Sequence, residues 1–213
     1  MERKERMLGI YNYTVILTYL GLVAGFSGIL AALNGQIRSA LICLMISGVC
    51  DMFDGKVASI MERTATEKRF GIQIDSLCDL VCFGVLPAVI VCQSCGHNPI
   101  VCVLSALYLL CTLIRLAWFN VDEEERQSRE AGRREAYMGL PVTTVALILP
   151  CLISAGEKHH WPLGIVEPMA LLLMASAFLS PFQIKKPALM GKIGMLLLGG
   201  LGMFMVLMSG MDV

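Results

Sequence analysis

Four aspartates stand in otherwise apolar stretches of the chain, Asp51 and Asp54 in ISGVCDMFDGKVASIM and Asp75 and Asp79 in FGIQIDSLCDLVCFGVLP. A carboxylate inside a membrane costs at least about 2.5–3.5 kcal/mol on insertion scales, so four of them need a partner or a function. The first pair is spaced i,i+3 and the second i,i+4, so each pair projects from one face of a helix. The spacing therefore predicts four carboxylates that converge between two consecutive antiparallel helices.

Converging carboxylates repel one another unless a cation lies between them. One or two divalent ions remove that repulsion, and ligation by carboxylate oxygen favours Mg²⁺, Mn²⁺ or Ca²⁺ over zinc or copper. Two other interpretations remain open: structural acids that are protonated or ion-paired, and a pathway for cations or protons. Small residues at Gly55, Ala58 and Gly71 lie close to the acids in sequence and permit close approach of a helix or a ligand.

The elements that position these residues are membrane helices, as the composition shows. Hydrophobic residues make up 56% of the 213 residues, charged residues 16%, and the mean hydropathy is +0.71. These values leave too few polar side chains to cover a soluble globule, and they exclude intrinsic disorder. The 17 basic residues are balanced by 17 acidic ones, which argues against nucleic-acid binding by bulk charge.

About seven spans of about 20 residues would use the whole chain. The apolar runs show no alternation, so the fold class is all-α, a polytopic membrane helix bundle. The fifth and sixth runs are the shortest, so six or eight spans remain open. The runs are Tyr13–Leu33, Ser39–Met61, Ile72–Cys92, Pro99–Phe119, Leu140–Ala155, Leu163–Ser180 and Leu189–Ser209.

The Lys and Arg residues predict the orientation of the bundle. With a cytoplasmic N-terminus, every basic residue except Arg38 and Lys158 falls on the inside. This asymmetry predicts an odd number of spans and places both aspartate pairs near the cytoplasmic face. We interpret most of the nine cysteines as small hydrophobes of the spans, and a structural metal at Cys92 and Cys95 would lack a second pair.

The stretch DMFDGKVAS, followed by GIQIDSLCD, resembles the signature of the CDP-alcohol phosphatidyltransferase family, D-x-x-D-G-x-x-A-R and then G-x-x-x-D-x-x-x-D. Every fixed position matches except the Arg, which is Ser59 here, and residues 60–70 form a longer spacer than is usual. The missing Arg would help to hold the nucleotide or its phosphates. Arg63, Lys68 or Arg69 in the spacer are candidates to replace it.

Three further segments resemble the phosphatidylserine synthase branch more than the glycerol-phosphate or inositol-phosphate branches. They are FGVLPA after the last Asp, RLAWFN at the end of the fourth span and MGLP at the start of the fifth. The resemblance implies a single domain over residues 1–213, with a six-span core at about 13–182. It also implies a seventh, extra helix at about 189–209.

The resemblance implies transfer of a phosphatidyl group from CDP-diacylglycerol to L-serine in the cytoplasmic membrane, with the site facing the cytoplasm and membrane lipids around it. It implies Mg²⁺ or Mn²⁺ as cofactor, two ions in all, and a homodimer. Asp79 would be both a metal ligand and the general base. The other implied ligands of the metals are Asp51, Asp54 and Asp75. The implied substrate contacts are Thr18, Gly55, Ala58, Ser59, Gly71, Arg115 and Asn120.

The sequence leaves alternatives open for the role of Arg115, for the acceptor and for the activity itself. Arg115 can instead snorkel to the interface or pair with a lipid phosphate. The chain can belong to a branch that uses glycerol phosphate or inositol phosphate as acceptor. It can be a catalytically impaired homologue, because of Ser59, or a divalent-cation transporter built around the same acids. The charged segment at residues 121–138 is predicted to be a solvated surface helix, with a lid as the alternative.

Overall fold

The computed structural model describes residues 9–11, 15–59, 64–129, 136–185 and 189–208. Two short strands, β1 (Ala136–Met138) and β2 (Gln183–Lys185), pair antiparallel. A π-helical segment, Leu80–Val85, joins the third helix to the fourth without a break, and a short 3₁₀ turn, Val142–Thr144, leads into the sixth. The helices are α1 (Ile16–Leu33), α2 (Ile37–Ser59), α3 (Ala65–Asp79), α4 (Leu86–Ser94), α5 (Pro99–Arg129), α6 (Val145–Lys158), α7 (Leu163–Leu179) and α8 (Leu189–Met208).

The prediction of an all-α bundle is confirmed, and each of the seven apolar runs corresponds to a helical rod in the described part of the chain. Among the described residues, three rods are long and apolar enough to cross a membrane: Ile16–Leu33, Ala65–Ser94 and Pro99–Glu125. The apolar stretches Leu163–Leu179 and Leu197–Met208 are shorter. The predicted surface helix over residues 121–138 is helical as far as Arg129, where it continues α5. It is wrong at Ala136–Met138, which forms β1 because that segment pairs with β2, and residues 130–135 lie outside the described part.

Helix α1 has the inside-out pattern of a membrane helix. Its buried face carries small residues, namely Thr18, Gly21, Gly25, Gly28 and Ala32. Its large apolar side chains are exposed on the opposite face, as Leu20, Val23, Phe26 and Leu30. With lipid as the outer solvent there is no penalty for this exposure, and the small residues let the backbones of neighbouring helices approach closely. The glycine face of α1 therefore sets the distance to α2, the π segment and α4.

The π segment follows directly after Asp79 and has a local cause in the sequence. Pro87 has no N–H, so the carbonyl of Phe83 loses the hydrogen bond that an α-helix would supply. The hydroxyl of Tyr108, a fully buried residue of α5, donates to that Phe83 carbonyl at 2.6 Å. The rod is therefore widened at the level just beyond the aspartates, and π-helical turns of this kind are frequent at functional sites.

Local signals place the ends of the helices that carry the site. Helix α3 begins with a capping box, in which the Thr64 hydroxyl accepts from the backbone N–H of Glu67 and the Glu67 carboxylate accepts from that of Thr64. Gly139, just after β1, has a φ of +71°, and a Cβ there would lie 2.7 Å from the carbonyl oxygen of Phe178. Only glycine permits this close approach, which fixes the start of α6 against the end of α7.

Polar contacts at the end of the bundle opposite the aspartates tie the rods together. The buried carboxylate of Glu167 in α7 accepts a hydrogen bond from the Ser94 hydroxyl at the end of α4. Arg38 at the start of α2 donates to the backbone carbonyl of Leu207 near the end of α8. These contacts fix α7 and α8 against the other rods.

Candidate functional site

The aspartates converge between α2 and α3, as their spacing predicts. One carboxylate oxygen from each of Asp51, Asp54 and Asp75 lies within 4.8 Å of the other two. Asp54 is the most enclosed of the three, with 9% of its surface exposed. The i,i+3 pair of α2 thus faces the first acid of α3, a juxtaposition that follows from two antiparallel helices in contact.

Asp79 occupies a different position from the other three acids. It lies one turn beyond Asp75, at the end of α3, and lines the same small pocket as the three clustered acids. Asp79 does not belong to the group of acids whose carboxylate oxygens all lie within 4.8 Å of one another. The pocket therefore presents a tight trio of carboxylates with a fourth carboxylate at its side.

The carboxylate trio fits a divalent cation. The trio supplies hard oxygen donors, and none of the described residues that line the pocket is basic, so no side chain there neutralises the acids. Oxygen-only ligation of this type suits Mg²⁺ or Mn²⁺. We therefore assign Asp51, Asp54 and Asp75 as the residues able to hold such an ion, and Asp79 lies near enough to share the pocket.

Thr18 is the site residue contributed by α1. Its side chain is buried, lines the pocket, and its hydroxyl donates to the Asp54 carboxylate at 3.4 Å. The glycine face described above brings α1 close enough for this contact. The sequence-predicted position of Thr18 in the site is therefore observed, whereas its contact with a substrate remains a prediction.

The small residues of the motif lie on α2 and α3, beside the aspartates in sequence. Gly55, Ala58 and Ser59 lie in the last turns of α2, and their side chains fall outside the described residues. Gly71 lies one turn before Asp75 on α3 and is half-buried, but it is not among the residues that line the pocket.

The candidates to replace the motif Arg are positioned differently from one another. Arg63 lies outside the described residues, and Lys68 is exposed on the first turn of α3. Arg69 forms an exposed ion pair with Glu124 of α5 at 2.7 Å. This ion pair links α3 to the end of α5 and leaves the role of Arg69 toward a nucleotide as a prediction.

Arg115 and Asn120 lie on α5, outside the residues that line the carboxylate pocket. Arg115 is 7% exposed, and its guanidinium carbon lies 5.8 Å from the centre of the Phe119 ring. Asn120 accepts a hydrogen bond at 2.7 Å from the hydroxyl of Ser76, the residue that follows Asp75. Asn120 is thus connected to α3, and so to the motif, through Ser76.

Sequence reasoning missed the thiols of the pocket. Cys50, Cys78 and Cys82 all line it, and they had been interpreted only as small hydrophobes of the spans. A signal was available, because Cys50 directly precedes Asp51 and Cys78 directly precedes Asp79. Cys82 lies one turn beyond Cys78, so it falls on the same face of the rod.

We expect Gly25→Ala to destabilise the pocket wall. A Cβ at Gly25 would lie 2.6 Å from the Cys82 sulfur, so the Cys82 side chain or the backbones around it must shift. Overpacking of this kind costs about 1–3 kcal/mol, which predicts a lower unfolding temperature in a thermal melt of the detergent-solubilised protein. Gly200→Ala is the matched control, because nothing lies within 4 Å of a Cβ there. Equal melting temperatures for the two variants would contradict the close packing.

Comparisons with known proteins agree with the motif. The family model described as CDP-alcohol phosphatidyltransferase matches residues 11–181, so the match ends before α8. A CDP-diacylglycerol–serine O-phosphatidyltransferase of Mycobacterium leprae (strain TN) is 33% identical over 153 residues, 71% of this chain and 50% of the relative.

Two further relatives come from a bacterium and an archaeon. A protein with the same name in Helicobacter pylori (strain J99) is 30% identical over 164 residues, 76% of this chain and 65% of its own length. The archaetidylserine synthase of Methanothermobacter thermautotrophicus is 26% identical over 167 residues, 78% of this chain and 68% of its own length. The chain thus matches between 50% and 65% of the length of the two relatives named as phosphatidyltransferases.

Proposed function

We propose, on the premise that this chain belongs to the CDP-alcohol phosphatidyltransferase family, that it transfers the phosphatidyl group of CDP-diacylglycerol to the hydroxyl of L-serine. The products are phosphatidylserine and CMP. The observation that carries the proposal is the trio of carboxylates within 4.8 Å, with Asp79 in the same pocket. The acceptor is supported by the names of the relatives, which are serine phosphatidyltransferases and an archaetidylserine synthase.

In this proposal Asp51, Asp54 and Asp75 would hold Mg²⁺ or Mn²⁺, and Asp79 would be a ligand of a second ion. When bound, such ions neutralise the phosphate oxygens and the charge that develops on the departing CMP. Thr18 stabilises the Asp54 carboxylate by its hydrogen bond and so keeps that ligand oriented. Gly55, Ala58 and Gly71 would line the nucleotide site as small residues, with Ser59 as a further contact.

Asp79 acts as the general base on the serine hydroxyl. As the hydroxyl oxygen bonds to the phosphatidyl phosphorus, its proton passes to Asp79 and the bond from phosphorus to the CMP oxygen breaks. A carboxylate is a weak base for an alcohol, so the proton must move while the new bond forms. The position of Asp79 outside the tight trio supports this role, because an oxygen not committed to the cluster is available to accept the proton.

Arg115 and Asn120 recognise the acceptor in this proposal. Serine carries a carboxylate, and a charged hydrogen bond from a guanidinium is the strongest contact that a side chain offers it. Arg115 is a cation 7% exposed on α5, and Asn120 accepts a hydrogen bond from Ser76, the residue that follows Asp75. The proposal also places Arg115 and Asn120 near the cytoplasmic face. It takes the protein to be a homodimer in the cytoplasmic membrane.

Arg115→Gln is expected to raise the KM for serine about 10-fold to 100-fold, since a hydrogen bond to a charged group contributes about 1.5–3 kcal/mol. The kcat at saturating serine should change less, because the lost contact holds the ground state as well as the transition state. Steady-state kinetics of CMP release give both constants. Lys158→Gln is the matched control, because Lys158 is exposed at the end of α6 and lies outside the pocket lining. An unchanged KM for serine in Arg115→Gln would remove Arg115 from the acceptor site.

The test of the proposal is a panel of acceptors. Purified protein is given CDP-diacylglycerol and Mn²⁺ with serine, glycerol 3-phosphate or inositol phosphate, and CMP is measured. CMP release that requires serine is the expected result. Turnover with another acceptor and none with serine would move the chain to another branch of the family. Metal flux into proteoliposomes without any CMP release would replace the enzyme with a transporter.

A further inference from the structure

Two thiols in the pocket have the separation of ligands to one metal ion. The Sγ atoms of Cys78 and Cys82 lie 3.8 Å apart. Two sulfur ligands of a tetrahedral zinc ion, each about 2.3 Å from the metal, are also about 3.8 Å apart. The pair therefore needs little rearrangement to hold a soft cation.

Helix α1 holds both thiols in place. The Cys78 thiol contacts the backbone carbonyl of Thr18 at 3.2 Å, and the Cys82 thiol contacts that of Gly21 at 3.3 Å. The residues are 7% and 1% exposed, so packing restricts their rotamers further. The two hydrogen bonds are lost with the thiol protons when a metal binds, so it is the packing of the side chains that reduces the entropy lost on binding.

The surroundings of the pair also favour a cation. Asp51 and Asp79 line the same pocket, together with a third thiol, Cys50, and no described residue of the lining is basic. Sulfur and oxygen donors together suit Zn²⁺, whereas Mg²⁺ takes oxygen ligands and avoids thiolates. The pocket thus offers hard oxygen donors from the carboxylate trio and soft sulfur donors from the thiols.

We propose that Cys78 and Cys82 form a second cation site in the pocket, one that takes Zn²⁺ and is completed by carboxylate or water oxygens. On binding, two S–Zn bonds form and the two thiol protons pass to solvent. This binding does not rest on the proposed function. Under the proposed function it also has a consequence, because a zinc ion there narrows the reaction pocket and inhibits CMP release at saturating Mg²⁺.

The experiment measures Zn²⁺ binding in excess Mg²⁺ by competition with a chromogenic zinc chelator. The parent protein carries Cys92→Ser and Cys95→Ser, which removes the half-buried thiols near the other end of the rod. We expect one zinc site in the parent and an affinity lower by about tenfold or more after Cys78→Ser and Cys82→Ser are added. Cys102→Ser is the matched control and should leave the affinity unchanged. Equal affinity with and without Cys78 and Cys82 would overturn the proposal.

A second measurement does not need the double variant to fold. X-ray absorption at the zinc edge of the parent protein, loaded with one equivalent of Zn²⁺ in excess Mg²⁺, counts the sulfur neighbours of the metal. Two sulfur neighbours at about 2.3 Å are expected. A shell of oxygen alone would contradict the site, whatever the outcome of the transferase assay.

Discussion

Asp79→Asn is expected to reduce serine-dependent CMP release by about 10²-fold to 10⁴-fold, the range that a positioned general base contributes. Asparagine keeps the size and much of the hydrogen-bonding capacity of aspartate, but it cannot accept the serine proton. Asp79 is not one of the three acids whose carboxylate oxygens lie within 4.8 Å of one another. The affinity for the metal should therefore fall less than the rate of CMP release does. Initial rates over a series of Mn²⁺ concentrations separate these two effects.

The control for this prediction is Asp122→Asn, which changes an acid on the extension of α5, outside the pocket lining. Its rate should remain close to that of the unmodified protein. If Asp79→Asn retained a rate within a few-fold of that control while remaining folded, Asp79 would not be the base.

Removal of divalent metal is expected to abolish the reaction. Asp51, Asp54 and Asp75 place three carboxylates close together, and none of the described lining residues is basic, so we expect the active state to need a cation. Incubation with a chelator should lower CMP release by about 10³-fold or more, and Mg²⁺ or Mn²⁺ should restore it.

Asp54→Asn tests one metal ligand by itself. Asp54 is the most enclosed acid of the trio, and its carboxylate accepts a hydrogen bond from the Thr18 hydroxyl. The concentration of Mn²⁺ needed for half-maximal rate should rise by about tenfold or more. Thr18→Val, which removes only the hydrogen bond to Asp54, should raise it by a smaller factor. Full turnover in the presence of chelator would show that the acids serve another purpose.

Much of the architecture follows from local patterns. The apolar runs predict the rods, since a span needs a continuous stretch of apolar residues whatever its neighbours are. The i,i+3 and i,i+4 spacings place each acid pair on one helix face, and the structure brings three of the four acids within 4.8 Å. These features depend on residues close in sequence, which is why they can be predicted.

Other features depend on contacts between distant residues and could not be predicted in this way. Pro87 is a local signal for the π segment, but Tyr108, which donates to the Phe83 carbonyl that Pro87 leaves without a donor, lies 25 positions away in the sequence. The thiols enter the pocket because α1 lies close to the π segment, which depends on Gly25 packing against Cys82. Arg115 lies outside the pocket lining, a position that its place at the end of an apolar span does not reveal, and its contact with the acceptor stays a prediction.

The most direct test of the proposed reaction is to follow the serine itself. Purified protein receives CDP-diacylglycerol, Mn²⁺ and isotopically labelled serine, and mass spectrometry measures the labelled lipid while CMP is quantified in the same sample. We expect labelled phosphatidylserine and CMP to form in equal amounts, and both to be lost in Asp79→Asn. CMP without labelled lipid, or labelled lipid formed equally well by Asp79→Asn, would contradict phosphatidyl transfer to serine in this pocket.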